Sequence, residues 1–179
     1  SERAGSRRVV VAMLLAALMI APSAAQTLRF DMLLAARDNR LIVREWIEHR
    51  VQVGDSLWQS GSAYGHVQFS DDRLYPAWSY DEEAGVFSKD GVPQPGGPAY
   101  VLLQRSPLTL YSTVPPAIVR LLEEHYDHAQ NFLTAAPGNA AGNYDAMDAF
   151  FLPLSRLDQV TRPGPEYSLY RRKPATGGQ

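Results

Sequence analysis

The sequence predicts an α/β protein: an N-terminal transmembrane helix, then a small two-layer or three-layer domain built on a mixed, partly parallel sheet. Three observations lead there. Val9 to Ala21 is an unbroken apolar run with Arg3, Arg7 and Arg8 on one side only. Beyond it, Asp38 stands before a segment whose apolar residues Leu41, Ile42, Trp46 and Ile47 recur at helical spacing. Further on, Tyr100 to Gln104, Ala117 to His125 and His128 to Thr134 read in order as strand, helix and strand, which suggests a right-handed crossover and parallel pairing.

The apolar run admits two readings. A cleavable signal peptide has a basic start, an apolar core and a small-x-small exit, and Ser23 and Ala25 stand where that exit would be. A membrane-spanning helix needs about 20 mostly apolar residues, and Val9 to Leu28 reaches that length by including Pro22, Ser23, Gln26 and Thr27. The first methionine, Met13, lies inside the run, and the chain begins at Ser1. This favours a span belonging to something longer, with 1–8 as a cytoplasmic flank, 9–28 as the span (or 1–25 as a signal) and 29–173 as the outer domain. In both readings the arginines keep the N-terminal end in the cytoplasm and everything after Gln26 on the far side.

The stretch after Ala25 holds about 150 residues, enough for a real core. The formal net charge of −2 and the scattered basic residues leave no footprint for nucleic acid. There is no cysteine, so neither a disulfide framework nor a thiolate metal site is available.

Within the helix after Asp38, Arg40, Arg44, Glu45 and Glu48 occupy the polar face, and Arg44 with Glu48 has the spacing of an i, i+4 ion pair. Gly54 ends the following turn, and Ser56 to Gln59 reads as a first short strand. Residues 71–98 carry Asp, Gly and Pro in runs that break both periods, so they read as a long surface excursion, with room for a strand pair near Tyr64 to Phe69 and Leu74 to Trp78. Tyr100 to Gln104, bounded by Gly97, Pro98 and Pro107, has the pattern of a buried central strand. Pro115 and Pro116 sit where a helix begins, with Ile118, Leu121 and Leu122 on its apolar face. Ala135 to Asn143 is a loop by composition. Pro163 to Pro165 make a turn, Tyr167 to Arg171 alternate as an edge strand does, and 174–179 form a polar tail.

No residue stands out as catalytic, cofactor-binding or metal-ligating. Glu124, His125, Asp127 and His128 have the residue types of a metal site, but histidine near a helix C-terminus is favoured by the helix dipole alone, and no distant ligand converges on them. His49 and His66 are solitary. Ser60, Gly61 and Ser62 lack the Gly-x-Ser-x-Gly elbow, and Gly96 with Gly97 lacks the spacing and the lysine of a phosphate loop. Arg7 and Arg8 form a twin-arginine pair followed by a generic apolar segment. The aromatic set Trp58, Tyr64, Phe69, Tyr75, Trp78 and Tyr80 reads either as a sugar or lipid-headgroup surface near the membrane or as ordinary packing.

The apolar span ending in a proline, LRFDMLLAARDNRLIVREWIEHRVQVGDSL, the strand PAYVLLQ, then DAFFLPL and RPGPEYSLYRR together resemble the C-terminal end of bacterial GT-C membrane glycosyltransferases. These are relatives of protein O-mannosyltransferases and of the lipid A aminoarabinose transferase. The most telling pieces are Asp38 to Val51 with Gly54, and Arg162 to Pro165 following Asp148 to Leu154; Gln52 departs from the proline common before the glycine turn. The resemblance implies a last transmembrane helix in the bacterial inner membrane carrying a periplasmic α/β domain. It also implies a polyprenyl-phosphate-linked sugar donor, an inverting transfer, and a catalytic acidic residue in an early outward loop that is not in this chain. The expected partners are the lipid bilayer, the N-terminal membrane part of the same enzyme and the lipid-linked sugar. No cofactor is expected in this chain, and the domain is accessory and non-catalytic. A small exported periplasmic binding or structural protein with a cleaved signal is the alternative. A free-standing hydrolase, resting on unpaired serines and histidines, ranks last.

Overall fold

The computed structural model describes residues 2–71, 73–94, 96–106, 112–135 and 151–174. Helix α1, Glu2–Ala35, runs without interruption through Pro22. It is apolar enough to cross a membrane, with a mean hydropathy of 2.1 over its most apolar window and none of that window buried. Leu18 and Met19 are 71% and 80% exposed. Among its described side chains only Leu33, near the end, is buried; over the rest α1 is long and apolar enough to span a membrane.

Three residues later α2, Asn39–Arg50, begins. Asp38 caps it, its side chain accepting the Arg40 N–H at 2.8 Å. The buried stripe is Asn39, Val43 and Ile47, continued by Val51. That corrects the sequence reading: Leu41 is 40% exposed, and Val43, fully buried, takes its place. The i, i+4 series starts at the polar Asn39, which apolar periodicity cannot register. The expected Arg44–Glu48 pair is not formed either. Glu48 accepts the Ser70 N–H at 2.8 Å instead, and Glu45 pairs with Arg37.

The main sheet has four strands in the order β1 (Leu57–Gln59), β5 (Tyr100–Arg105), β7 (Glu166–Arg172), β6 (Tyr126–Phe132). β1 and β5 are parallel; β5–β7 and β7–β6 are antiparallel, with a bulge between His128 and Gln130. The sheet is therefore mixed and partly parallel. Helix α3, Pro116–His125, links β5 to β6. Those two strands do point the same way, but β7 lies between them, so Tyr167 to Arg171 form an interior strand and not the edge that their alternation suggested. The sixth strand also begins earlier than expected, at Tyr126.

Within residues 71–98, β2 (Ser79–Asp81), β3 (Val86–Lys89) and β4 (Val92–Pro93) form a second, antiparallel sheet. No strand occupies 64–69, and 74–78 contributes only the isolated bridge Ala77–Leu57.

Residue parity along the strands sorts the core into layers. Leu57, Leu102, Tyr167 and Leu169 pack with Val43 and Ile47 of α2, whereas Trp58, Val101 and Leu103 pack with Ile118 and Leu122 of α3 and with Phe87 of β3. With both faces covered, β5 has no polar side and reads as a continuous buried run, as a central strand must. Each of these fully buried large side chains contributes about 1.5–3 kcal/mol. A third, smaller cluster joins Leu33, near the end of α1, to Leu152, Leu157 and Val160.

Candidate functional site

Strand registers define two poles. At the proximal pole, where α1 enters, lie Asn39, Gln59, Arg105, Phe132 and Glu166; at the distal pole lie Arg50, Leu57, Tyr100, Tyr126 and Arg171. Two of the segments quoted for the family resemblance, Asp38 to Arg40 and Pro163 to Pro165, meet at the proximal pole, while residues 148–150 lie outside those described. Asn39, 1% exposed, donates from Nδ2 to the Pro165 carbonyl at 2.7 Å and to the Phe132 carbonyl at 3.1 Å, and its backbone N–H donates to the Pro163 carbonyl at 2.9 Å.

Beside it, Arg40 grips Asp38 in a fork, Nη2 to Oδ2 at 2.6 Å and Nε to Oδ1 at 2.9 Å. Its Nη1 donates to the Tyr64 carbonyl at 2.6 Å and its guanidinium lies 5.9 Å from the Phe151 ring centre. The hydrogen bond and charge of Asp38 hold the Arg40 pKa above its ordinary value. The Tyr167 hydroxyl, pushed up by burial, donates to the Gly65 carbonyl. Gly164 has φ +99°, and a Cβ there would lie 2.8 Å from Asp38 Oδ1. Only glycine lets the turn close over the helix start. Most of the polar groups at this pole are spent on other parts of the fold, as in a joint; the Asn39 side-chain oxygen is buried without a hydrogen-bond partner among the described residues.

The distal pole is open. A groove of about 970 Å³ runs between the end of α2, the β3–β5 connection and the end of β7. Arg50, Arg171, Arg172 and Lys173 line it, opposed by the carboxylates of Asp55 and Glu124. Arg172 Nη1 donates to the Gly96 and Gly97 carbonyls at 3.0 and 2.9 Å, and Lys173 Nζ to the Glu124 carbonyl at 3.0 Å. Val86, Phe87, Tyr100 and Leu121 give it an apolar part. Sequence reading missed this groove because its cations lie at position 50 and at 171–173; the short run Arg171, Arg172, Lys173 was the only local signal.

The residues singled out in the sequence are dispersed. Glu124 pairs with His125 at 3.7 Å, while His128 on β6 contacts Asn131 Oδ1 at 2.9 Å and stands edge-on to Tyr170. Among the described residues no three His, Asp or Glu side chains converge as a metal site. His49 Nδ1 bonds the Glu45 carbonyl. His66 is half-buried and its pKa is lowered by that burial. The Ser60 hydroxyl accepts the Gln104 N–H at 2.8 Å and so serves the sheet edge. Ser60, Gly61 and Ser62 line a smaller depression of about 380 Å³ with Trp58 and Tyr80.

Of the six aromatics, Trp58 and Tyr80 stack edge-on, Phe69 and Tyr75 pack on each other, and Trp78 packs against the α3 side of the core. Tyr64 alone of the six is strongly exposed, at 67%, and it sits at the proximal pole. Packing thus accounts for five of the six. No family model, curated protein or solved structure matches this chain.

Proposed function

We propose that this chain is the C-terminal portion of a GT-C type membrane glycosyltransferase: its last membrane helix and an extracytoplasmic accessory domain. In this reading α1 crosses the inner membrane and the domain stands on the periplasmic side, packed over the membrane part that carries the catalytic loop. The observation that carries the reading is α1 itself, an apolar helix exposed along its span and seated against the domain through Leu33, with only Ala36 to Asp38 between its end and the start of α2 at Asn39. The arginines before the span favour the outward orientation. The joint at the proximal pole is built from the same Asp38 to Arg40 and Pro163 to Pro165 segments that resemble the family. The chain transfers no sugar alone, since the catalytic acid belongs to a loop outside it.

Two measurements test this. Because the chain has no cysteine, Glu82→Cys supplies a single thiol, and a membrane-impermeant maleimide added to intact spheroplasts should label it. The genomic frame upstream of the Ser1 codon should encode further apolar segments of about 20 residues, with an acidic residue in the first outward loop. A start codon directly before Ser1 together with a mature N-terminus at Gln26 overturns the reading in favour of a small exported periplasmic protein.

A further inference from the structure

The distal groove is a large concave surface lined by more cations than carboxylates among the described residues. Arg37, Arg40 and Arg73 elsewhere in the domain each pair with a carboxylate. Among the described residues, Arg50, Arg171, Arg172 and Lys173 pair with no carboxylate, and neither do Arg44, Arg105, Arg120 and Arg162 elsewhere, but here four such cations share one groove with only two carboxylates, Asp55 and Glu124. This concentration of positive charge occurs on a molecule whose formal net charge is −2. Arg50 and Arg171 stand on the α2 face of the sheet end, and Arg172 and Lys173 on the α3 face. Like charges side by side on one face repel one another, and that repulsion is relieved when an anion enters.

Two of the cations are held in place before any ligand arrives. Arg172 is tied by Nη1 to the Gly96 and Gly97 carbonyls, which leaves its Nε and Nη2 donors unspent. Lys173 is fixed against the end of α3 through the Glu123 and Glu124 carbonyls, at 3.3 and 3.0 Å. Arg50 lies over the Trp46 ring, 5.1 Å from its centre. Arg171 stands opposite Tyr100 on one neighbouring strand and Asp127 on the other. The groove's volume of about 970 Å³ is near the upper end for a small-molecule site. Tyr100 and Leu121 offer apolar contact to an organic body.

We propose that this groove binds a small organic molecule bearing a multiply charged phosphate-type group, with Arg50 and Arg171, on the same face of the sheet end, taking the oxyanion by charge-assisted hydrogen bonds. The groove lies at the pole away from α1, so its ligand comes from the aqueous side and not from the headgroups of the protein's own bilayer. The inference rests on the membrane-crossing part of the proposed function and not on sugar transfer.

Inorganic pyrophosphate is the probe, titrated by calorimetry into the full chain held in phosphatidylcholine nanodiscs. Saturable binding is expected, with Arg50→Gln and Arg171→Gln each weakening it about tenfold or more and Arg73→Gln, outside the groove, leaving it unchanged. Unaltered denaturation midpoints for the exposed Arg50 and Arg171 variants separate lost binding from lost folding. No saturable binding, or equal weakening by Arg73→Gln, overturns the site. Repeating the titration in nanodiscs containing phosphatidylglycerol should leave the affinity unchanged; competition by that lipid overturns the assignment to a soluble ligand.

Discussion

The side-chain amide of Asn39 donates to the carbonyl oxygen of Pro165 at 2.7 Å, joining the first residue of α2 to a turn 126 positions later. With its second bond to Phe132, it serves two backbone acceptors in a site closed to water. Asn39→Ala leaves both without this donor and should cost about 2–3 kcal/mol. Urea denaturation of the variant in detergent reads that loss directly, and an unchanged midpoint would show that the carbonyls find other partners.

Gly164 answers Asn39 from the other side of the same contact. Alanine there would meet both an unfavourable φ of +99° and a Cβ contact of 2.8 Å with Asp38. Gly164→Ala should therefore destabilise by about 2–3 kcal/mol. Gly54, at φ +96° with nothing near its missing Cβ, isolates the backbone part; Gly54→Ala should cost about 1–2 kcal/mol. Equal effects of the two substitutions would argue against steric closure of the turn.

Stability should fall off on both flanks of the pH scale for identifiable reasons. Burial raises the Tyr126 phenol from 10.0 to about 12. Its folded form keeps a proton that the unfolded chain releases, so its contribution is full below pH 10 and is lost as pH rises from there toward 12. Burial lowers the His66 pKa from 6.5; the unfolded chain then takes up the proton first, and stability declines as pH falls below 6.5. Denaturation midpoints across pH should show both flanks, with His66→Asn making the acidic one less steep and Tyr126→Phe reducing the alkaline one, of which the buried Tyr167 keeps a part.

Leu18 lies near the middle of the exposed apolar stretch of α1. Arginine at that depth costs about 2.5–3.5 kcal/mol on insertion scales. Leu18→Arg should move a substantial share of the protein out of the carbonate-resistant membrane pellet, whereas the same change at Val92, exposed on β4, should leave the partition as it was.

The legible parts of the fold were those with a strong local period. The apolar run, the Tyr100 to Gln104 strand and the Pro116 helix each declare themselves within a few residues. Asn39 did not, because its burial rests on carbonyls supplied by Phe132 and Pro165. The alternation of Tyr167 to Arg171 gave a strand correctly but not its place, since insertion between β5 and β6 is decided by long-range pairing. The three-stranded sheet within 71–98 was hidden by its own turns: Asp90 at φ 52° and Gly91 at φ 76° are both breakers and the tip of a hairpin. Of the distal groove only the run Arg171, Arg172, Lys173 was legible, because Arg50 comes to the same end of the sheet through the packing of α2 on β5 and β7.

Helix α1 reaches Ala35, seven residues past Leu28, and only Ala36 to Asp38 separate it from α2. Seven residues of helix add about 10 Å, roughly the depth of a lipid headgroup layer. In the proposed reading, that length would carry the domain clear of the hydrocarbon on a short mast whose top is seated by Leu33 among Leu152, Leu157 and Val160. A tilt of such a mast would displace Arg171, at the pole away from Leu33, further than Asn39 beside it.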